Sequence, residues 1–105
     1  MDIIITDHHP LPDEENEIPD CIVINPVLKK EKYPFKLLAG VGVAFKLASA
    51  LVSKSKLEDK YKERLLTRVL DLVAVGTVAD CVTLFGENRI LVKEGLKFLN
   101  NTRRL

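Results

Sequence analysis

Residues 3 to 10 read Ile-Ile-Ile-Thr-Asp-His-His-Pro, and this stretch decides the fold class. Three consecutive β-branched residues favour a strand that is buried on both faces, as in a parallel sheet flanked by helices. Polar side chains follow without a spacer, and Pro10 cannot donate a further ladder hydrogen bond. The sequence therefore predicts an α/β fold with Asp7, His8 and His9 at the carboxyl end of a strand, where open α/β sheets bind their ligands.

The Asp7-His8-His9 triplet combines two imidazoles with one carboxylate. Such side chains can bind a divalent metal ion, or the carboxylate can orient a ligating histidine through a hydrogen bond. Adjacent residues of a strand point to opposite faces, so we expect one histidine to bind a metal ion and the other to face substrate. The alternative is that both histidines are ordinary loop or capping residues at a strand end.

The composition is that of a globular protein with one domain. The 105 residues are 47% hydrophobic and 30% charged, with a net charge of +1, and no apolar run reaches the roughly 18 residues of a membrane span. The amino terminus lacks the basic-then-apolar pattern of a signal peptide. We therefore expect a cytoplasmic protein without a membrane partner. Cys21 and Cys81 form no Cys-x-x-Cys pair, which indicates neither a disulfide framework nor a zinc site.

A second short strand is predicted at residues 21 to 25, where Cys-Ile-Val-Ile-Asn is ended by Pro26. Residues 10 to 20 contain three prolines among acidic side chains and are predicted to form a surface loop. A direct parallel pairing of the two strands would need a longer crossover than this loop offers, so we expect them to pair through a strand outside this chain.

Three helices are predicted after the strands. An apolar, alanine-rich run at residues 38 to 52 favours a buried helix. Ser55 and Glu58 have capping-box spacing and precede a second helix that continues to Val75. The third helix covers residues 89 to 101, with a buried stripe predicted at Leu91, Val92, Leu96, Phe98 and Leu99.

Two further places hold candidate functional residues. Gly40 and Gly42, at the start of the first helix, permit the close approach of either a packed neighbour or an anion. Asp80 lies among small and apolar residues, where an isolated carboxylate would be costly to bury and needs a partner. A cap within its own turn and a bound metal ion would each provide that partner.

A basic surface is predicted at the carboxyl-terminal end of the chain. Arg89, Lys93 and Lys97 recur at helical spacing and form one line, which Arg103 and Arg104 extend. Such a line is either a solvated helix face or a surface for a polyanion. Any polyanion should prefer this end, because the loop at residues 10 to 20 is acidic.

Three longer blocks follow the Asp-His-His stretch in the order and spacing of RecJ-type exonucleases of the DHH phosphoesterase superfamily. They read Leu-Ala-Gly-Val-Gly-Val-Ala-Phe-Lys-Leu at 38 to 47, Leu-Asp-Leu-Val-Ala-Val-Gly-Thr-Val-Ala-Asp at 70 to 80, and Gly-Glu-Asn-Arg-Ile-Leu-Val-Lys-Glu-Gly-Leu at 86 to 96. Residues 1–105 therefore resemble a partial DHH phosphoesterase domain that carries the third and fourth motifs only.

The resemblance implies a two-metal phosphodiesterase that uses Mn²⁺ or Mg²⁺ and degrades single-stranded DNA from the 5′ end in repair and recombination. In the matching positions, His8 and Asp80 are metal ligands, and Asp7 and His9 support the metal site and the phosphate. The alternative within the superfamily is a small-substrate phosphoesterase that acts on short oligonucleotides or cyclic dinucleotides. The alternative outside it is a non-catalytic structural or binding module.

Parts of the family pattern do not occur in this sequence. Such enzymes have a first motif, Asp-x-Asp-Gly-x-x-Ser, and a second motif with another Asp before the Asp-His-His strand, and Thr83 stands where they commonly have Pro. We therefore expect a middle piece of the catalytic domain, inactive alone and completed by the missing remainder of the parent domain. An apolar sheet edge left open by that remainder should favour self-association.

Overall fold

The computed structural model describes residues 1–11 and 18–100. Within these residues there are two strands and four helices: β1 (Ile4–Thr6), β2 (Ile22–Ile24), α1 (Gly40–Lys54), α2 (Asp59–Thr67), α3 (Leu70–Ala79) and α4 (Gly86–Leu99). The predicted α/β class with a partial parallel sheet is confirmed. In the described part of the chain, no helix has the length and apolar character needed to cross a membrane.

β1 and β2 pair directly as parallel strands, with Ile4 opposite Ile22 and Thr6 opposite Ile24. The ladder continues one residue further, because the amide of Asp7 donates to the carbonyl of Ile24 over 3.0 Å. The expectation of pairing through a strand outside this chain is therefore wrong. The connection from residue 7 to residue 21 is long enough for the crossover that a parallel pair needs.

The strands are more exposed than predicted. Ile3, Ile4 and Ile22 keep 51%, 53% and 61% of their surface exposed. The prediction that β1 is buried on both faces is wrong for these residues, because the sheet has two strands and the contact between α1 and β1 is small, which leaves much of the sheet uncovered. The described structure therefore presents apolar side chains on its sheet.

The core forms where α1, α3 and α4 meet. Its buried residues are Leu38, Val43, Val73 and Leu91, with Phe35 and other partly buried side chains packed around them. α3 and α4 make the most extensive contact of any two elements. They approach so closely that a Cβ atom added at Gly95 would lie 2.5 Å from the Cβ of Ala74. Gly95 is therefore required by packing.

The second predicted helix is divided. α2 ends at Thr67 and α3 begins at Leu70, with the break at residues 68 and 69. The predicted capping box is wrong, because Ser55 ends α1 and its hydroxyl donates to the carbonyl of Val52. The N-cap of α2 is Glu58, which makes no side-chain capping hydrogen bond.

α4 begins three residues earlier than predicted and buries only part of the predicted stripe, Leu91 and Val92. It starts at Gly86, and its buried residues are Asn88, Leu91, Val92 and Gly95. Two members of the predicted stripe, Leu96 and Phe98, are 48% and 40% exposed. The difference is explained by Gly95. Because glycine has no side chain, the helix face that contains Gly95 can pack against the backbone of α3.

Candidate active site

The carboxyl ends of β1 and β2 are joined by the buried side chain of Asn25, which is 1% exposed. Its amide nitrogen donates to the carbonyl of His9 over 2.8 Å, and its carbonyl oxygen accepts from the amide of Val27 over 3.0 Å. These two hydrogen bonds fix the loop that follows β1 against the loop that follows β2. The backbone of the Asp-His-His triplet is thereby held in place.

Asp7 organises the triplet through one carboxylate oxygen. Its Oδ1 accepts from the amide of His8 at 2.7 Å, from the amide of His9 at 3.3 Å and from the His9 ring nitrogen Nδ1 at 2.7 Å. Partial burial opposes ionisation, but these hydrogen bonds outweigh it and hold the pKa of Asp7 below its usual value. With its Nδ1 hydrogen donated to Asp7, a neutral His9 ring presents an unprotonated Nε2 to its surroundings.

His8 turns away from solvent and packs against the start of α1. A Cβ atom added at Gly40 would lie 3.3 Å from His8 Cδ2, so the missing side chain makes room for the imidazole. Of the two possibilities for this glycine, the structure shows close packing against His8. The ring of His9 lies beside it, with the two centroids 4.4 Å apart, and the His9 side chain is 72% exposed.

Asp80 lies at the carboxyl end of α3 and reaches the same place as His8. The Nε2 atom of His8 is 3.3 Å from Oδ2 of Asp80, and the two side chains are 17% and 35% exposed. The hypothesis of one metal position shared by His8 and Asp80 requires an approach of roughly 3 to 5 Å, given ligand distances of about 2.0 to 2.3 Å. The observed 3.3 Å meets this requirement, while a role in metal binding stays a prediction.

The donor atoms of this site suit a divalent metal ion. Asp7, His8 and His9 can each offer one ligand atom with all three atoms within 4.8 Å of one another. The carboxylate of Asp80 lies beside His8 Nε2 but outside this three-residue cluster, so His8 is the residue that the two groups share. Imidazole nitrogen and carboxylate oxygen are a donor set that Mn²⁺ and similar ions accept, so the residues present fit such an ion.

A cavity of about 430 Å³ adjoins His8. Its lining includes Pro10 from the loop after β1, Lys36, and residues 81 to 83 after Asp80. The site therefore opens into a space large enough for part of a ligand, with one cationic side chain at its wall.

The predicted basic line lies on the exposed side of α4. Arg89, Lys93 and Lys97 are all exposed, and Lys97 Nζ lies 2.6 Å from a carboxylate oxygen of Glu94. Arg103 and Arg104 lie outside the described residues. Nucleic-acid binding by this line stays a prediction.

Two asparagines of structural importance were not predicted. Asn25 and Asn88 are 1% and 0% exposed, and each bonds to backbone groups distant in sequence. The only signal for Asn25 is its place between a strand and Pro26, and Asn88 stands in a Gly-Glu-Asn sequence typical of a turn. Their partners depend on tertiary contacts that local patterns do not encode.

Comparison with known protein families assigns the sequence to one of them. The DHH family, N-terminal domain, matches residues 1–77. The chain belongs to the DHH family, as the Asp-His-His resemblance predicted. Asp80 lies just beyond the matched residues.

The sequence is similar to single-stranded-DNA-specific exonucleases named RecJ. It is 47% identical to the Bacillus subtilis protein over 106 residues, which covers 100% of this chain and 12% of that protein. It is 49% identical to the Salmonella typhimurium protein and 46% identical to the Escherichia coli protein, each covering 90% of this chain and 17% of the relative. The chain thus spans less than a fifth of the length of these relatives. No solved structure gives a significant match.

Proposed function

We propose that this chain supplies part of the metal-dependent active site of an exonuclease that hydrolyses phosphodiester bonds in single-stranded DNA. The observation that carries the proposal is the 3.3 Å approach between His8 Nε2 and Asp80 Oδ2. The names of the similar proteins support the choice of single-stranded DNA as substrate. On the family resemblance, we extend the proposal to cleavage from the 5′ end in DNA repair and recombination.

In this proposal His8 and Asp80 hold one divalent ion, Mn²⁺ or Mg²⁺. When bound, such an ion polarises a phosphoryl oxygen and lowers the pKa of a bound water molecule. Asp7 fixes the orientation and tautomer of His9 through the 2.7 Å hydrogen bond to Nδ1. When His9 also carries a proton on Nε2, that nitrogen can donate to the substrate phosphate, while Gly40 and Asn25 keep both histidines in position.

The substrate is proposed to enter through the cavity beside His8. Lys36 in its wall provides a positive charge for a phosphate. The exposed line of Arg89, Lys93 and Lys97 on α4 would contact the backbone of the same strand further from the site. The remaining metal ligands are proposed to come from the remainder of the parent domain.

Paramagnetic NMR on the chain tests the metal role of the pair. We expect substoichiometric Mn²⁺ to broaden the ring signals of His8 and the side-chain signals of Asp80 before those of other residues. His8→Ala and Asp80→Asn should each remove this selective broadening. The control is Asp59→Asn, an equal change of charge at an exposed position in the first turn of α2. Broadening that spreads over the surface acids, or that survives His8→Ala, would contradict the proposal.

A further inference from the structure

Asn88 lies at the start of α4 and is completely buried. Its Oδ1 accepts from the amide of Ala39 at 3.3 Å. Its Nδ2 donates to the carbonyls of Leu37 and Thr83 at 2.5 and 3.1 Å. One side chain therefore joins two loop segments that are far apart in the sequence: residues 37 to 39 before α1, and the residues after α3.

Each of these segments adjoins one of the two candidate metal ligands, His8 or Asp80. Ala39 is followed by Gly40, whose close packing sets the place of the His8 ring. Thr83 lies three residues after Asp80 in the turn that leaves α3. A shift of either segment would therefore change the distance between His8 and Asp80.

We propose that Asn88 is a positioning residue that sets the separation of His8 and Asp80 without touching either. The inference rests on the proposed function for its consequence in metal binding, although the geometry it describes exists without a metal ion. A carboxamide is suited to this role, because it accepts one hydrogen bond and donates two from a single planar group. Since all three partners are backbone groups, the connection does not depend on the identity of the neighbouring side chains.

Asn88→Asp is the sharpest test, because it keeps the shape and the acceptor for Ala39 but removes both donated hydrogen bonds when ionised and keeps at most one when protonated. Asn88→Ala provides a second variant without a buried charge. The matched control is Val92→Ala, one helical turn along α4 on the same buried face. Variants are compared in the full 105-residue chain, with the fraction folded at each temperature measured by circular dichroism.

The metal-independent measurement is the nuclear Overhauser cross peak between His8 Hδ2 and a Gly40 Hα. We expect it to weaken or disappear in both Asn88 variants and to persist in Val92→Ala at an equal fraction folded. An unchanged cross peak in a folded Asn88 variant would overturn the proposal. If neither of these variants folds, Asn88→Ser provides a third, uncharged variant whose shorter side chain cannot reach all three backbone partners, and an unchanged cross peak in it would overturn the proposal.

The second measurement is Mn²⁺ affinity by calorimetry. Loss of a group hydrogen-bonded to a metal ligand typically lowers metal affinity by about 10- to 100-fold. Because Asn88 touches neither His8 nor Asp80, we expect a loss at the lower end of this range, about 10-fold, for Asn88→Asp and no more than about twofold for Val92→Ala. Equal affinity in the wild type and both Asn88 variants would overturn the positioning role while leaving the proposed function standing. A lost cross peak together with no Mn²⁺ binding at His8 in the wild type would instead support the positioning role and count against the proposed function.

Discussion

The hydroxyl of Tyr33 lies 3.0 and 2.9 Å from the two carboxylate oxygens of Glu87, across 54 positions of the sequence. The ammonium group of Lys46 lies 2.5 Å from one of these oxygens. Through these contacts Glu87 connects the segment before α1, α1 itself and the start of α4. Asn88 is the next residue, so the first turn of α4 is fixed both by the contacts of Glu87 and by the hydrogen bonds of Asn88.

The Tyr33, Lys46 and Glu87 cluster predicts a loss of stability at alkaline pH. Burial raises the pKa of Tyr33 above 10.0. Burial opposes the charge of Lys46, but hydrogen bonds to Glu87 and Tyr33 outweigh it and raise its pKa above 10.5. Both groups bind their protons more tightly in the folded chain than in the unfolded chain. Their contribution to the free energy of unfolding is therefore fully present below the pKa values of the unfolded chain, and it is lost as the pH rises through the pKa values of the folded chain.

Urea unfolding between about pH 8 and about pH 11 measures this effect. The wild-type midpoint should fall across the upper part of the range. Glu87→Gln should show a smaller fall, because the pKa of Lys46 is no longer raised by a carboxylate. Parallel curves for the two proteins would show that the cluster does not cause the dependence.

The chain alone should lack exonuclease activity. Two-metal phosphoryl transfer needs two ions about 3.5 to 4 Å apart, held by several carboxylates, and the described site offers Asp7 and Asp80 beside the two histidines. Release of nucleotides from labelled single-stranded DNA should stay at background with Mn²⁺ or Mg²⁺. Mn²⁺-dependent release that disappears in Asp80→Asn would refute this expectation.

In a RecJ-type exonuclease, changes at the positions that align with His8 and Asp80 should impair the chemistry rather than the binding of DNA. We expect His8→Ala or Asp80→Asn to lower turnover by about two to four orders of magnitude, since each 1.36 kcal/mol of lost stabilisation is about tenfold. Affinity for single-stranded DNA should change little, because backbone contacts dominate it. Steady-state rates and filter binding separate the two effects, and Asp59→Asn controls for lost charge. A large loss of DNA affinity with turnover preserved would be the contrary result.

Gly95→Ala should destabilise the fold although it favours helix formation. The new Cβ would meet the backbone carbonyl of Leu70 and the Cβ of Ala74. Overpacking typically costs about 1 to 3 kcal/mol, against a gain in helix propensity of up to about 1 kcal/mol. The free energy of unfolding from urea titration measures the balance. Lys93→Ala, at an exposed position of the same helix, is the control, and a more stable Gly95→Ala protein would contradict the close approach.

Self-association should occur through the apolar sheet. Ile4 and Ile22 are paired in register and both are more than half exposed. Sedimentation velocity at increasing concentration should show dimers or larger species, and Ile4→Lys or Ile22→Lys should reduce them, because charge opposes strand addition. Leu51→Lys replaces an equally exposed apolar side chain on α1 and should have less effect. A wild-type monomer at every concentration would rule out this surface.

The features that could be predicted are those encoded locally. The strand before Asp7, the apolar run of α1 and the acidic and imidazole groups of the site follow from short patterns, and His8 and Asp80 were assigned to one place through the resemblance. The prediction for α4 is correct for Leu91 and Val92 but wrong for Leu96 and Phe98, which are apolar yet exposed, because the contact with α3 is decided by the absence of a side chain at Gly95. The bridging role of Asn88 could not be predicted, since its three partners come together only in the folded chain.

His8 and Asp80 are separated by 72 positions (80 − 8), so the site closes a loop that includes most of the chain. Closing such a loop costs conformational entropy, and the contact is lost whenever α3 or the end of β1 unfolds. Any ion held by both side chains therefore binds the folded state and not the unfolded chain. At a free concentration one hundred times its dissociation constant, it would add about 2.7 kcal/mol to the free energy of unfolding by mass action. Metal occupancy of the site and the folded fraction of the chain would then increase and decrease together.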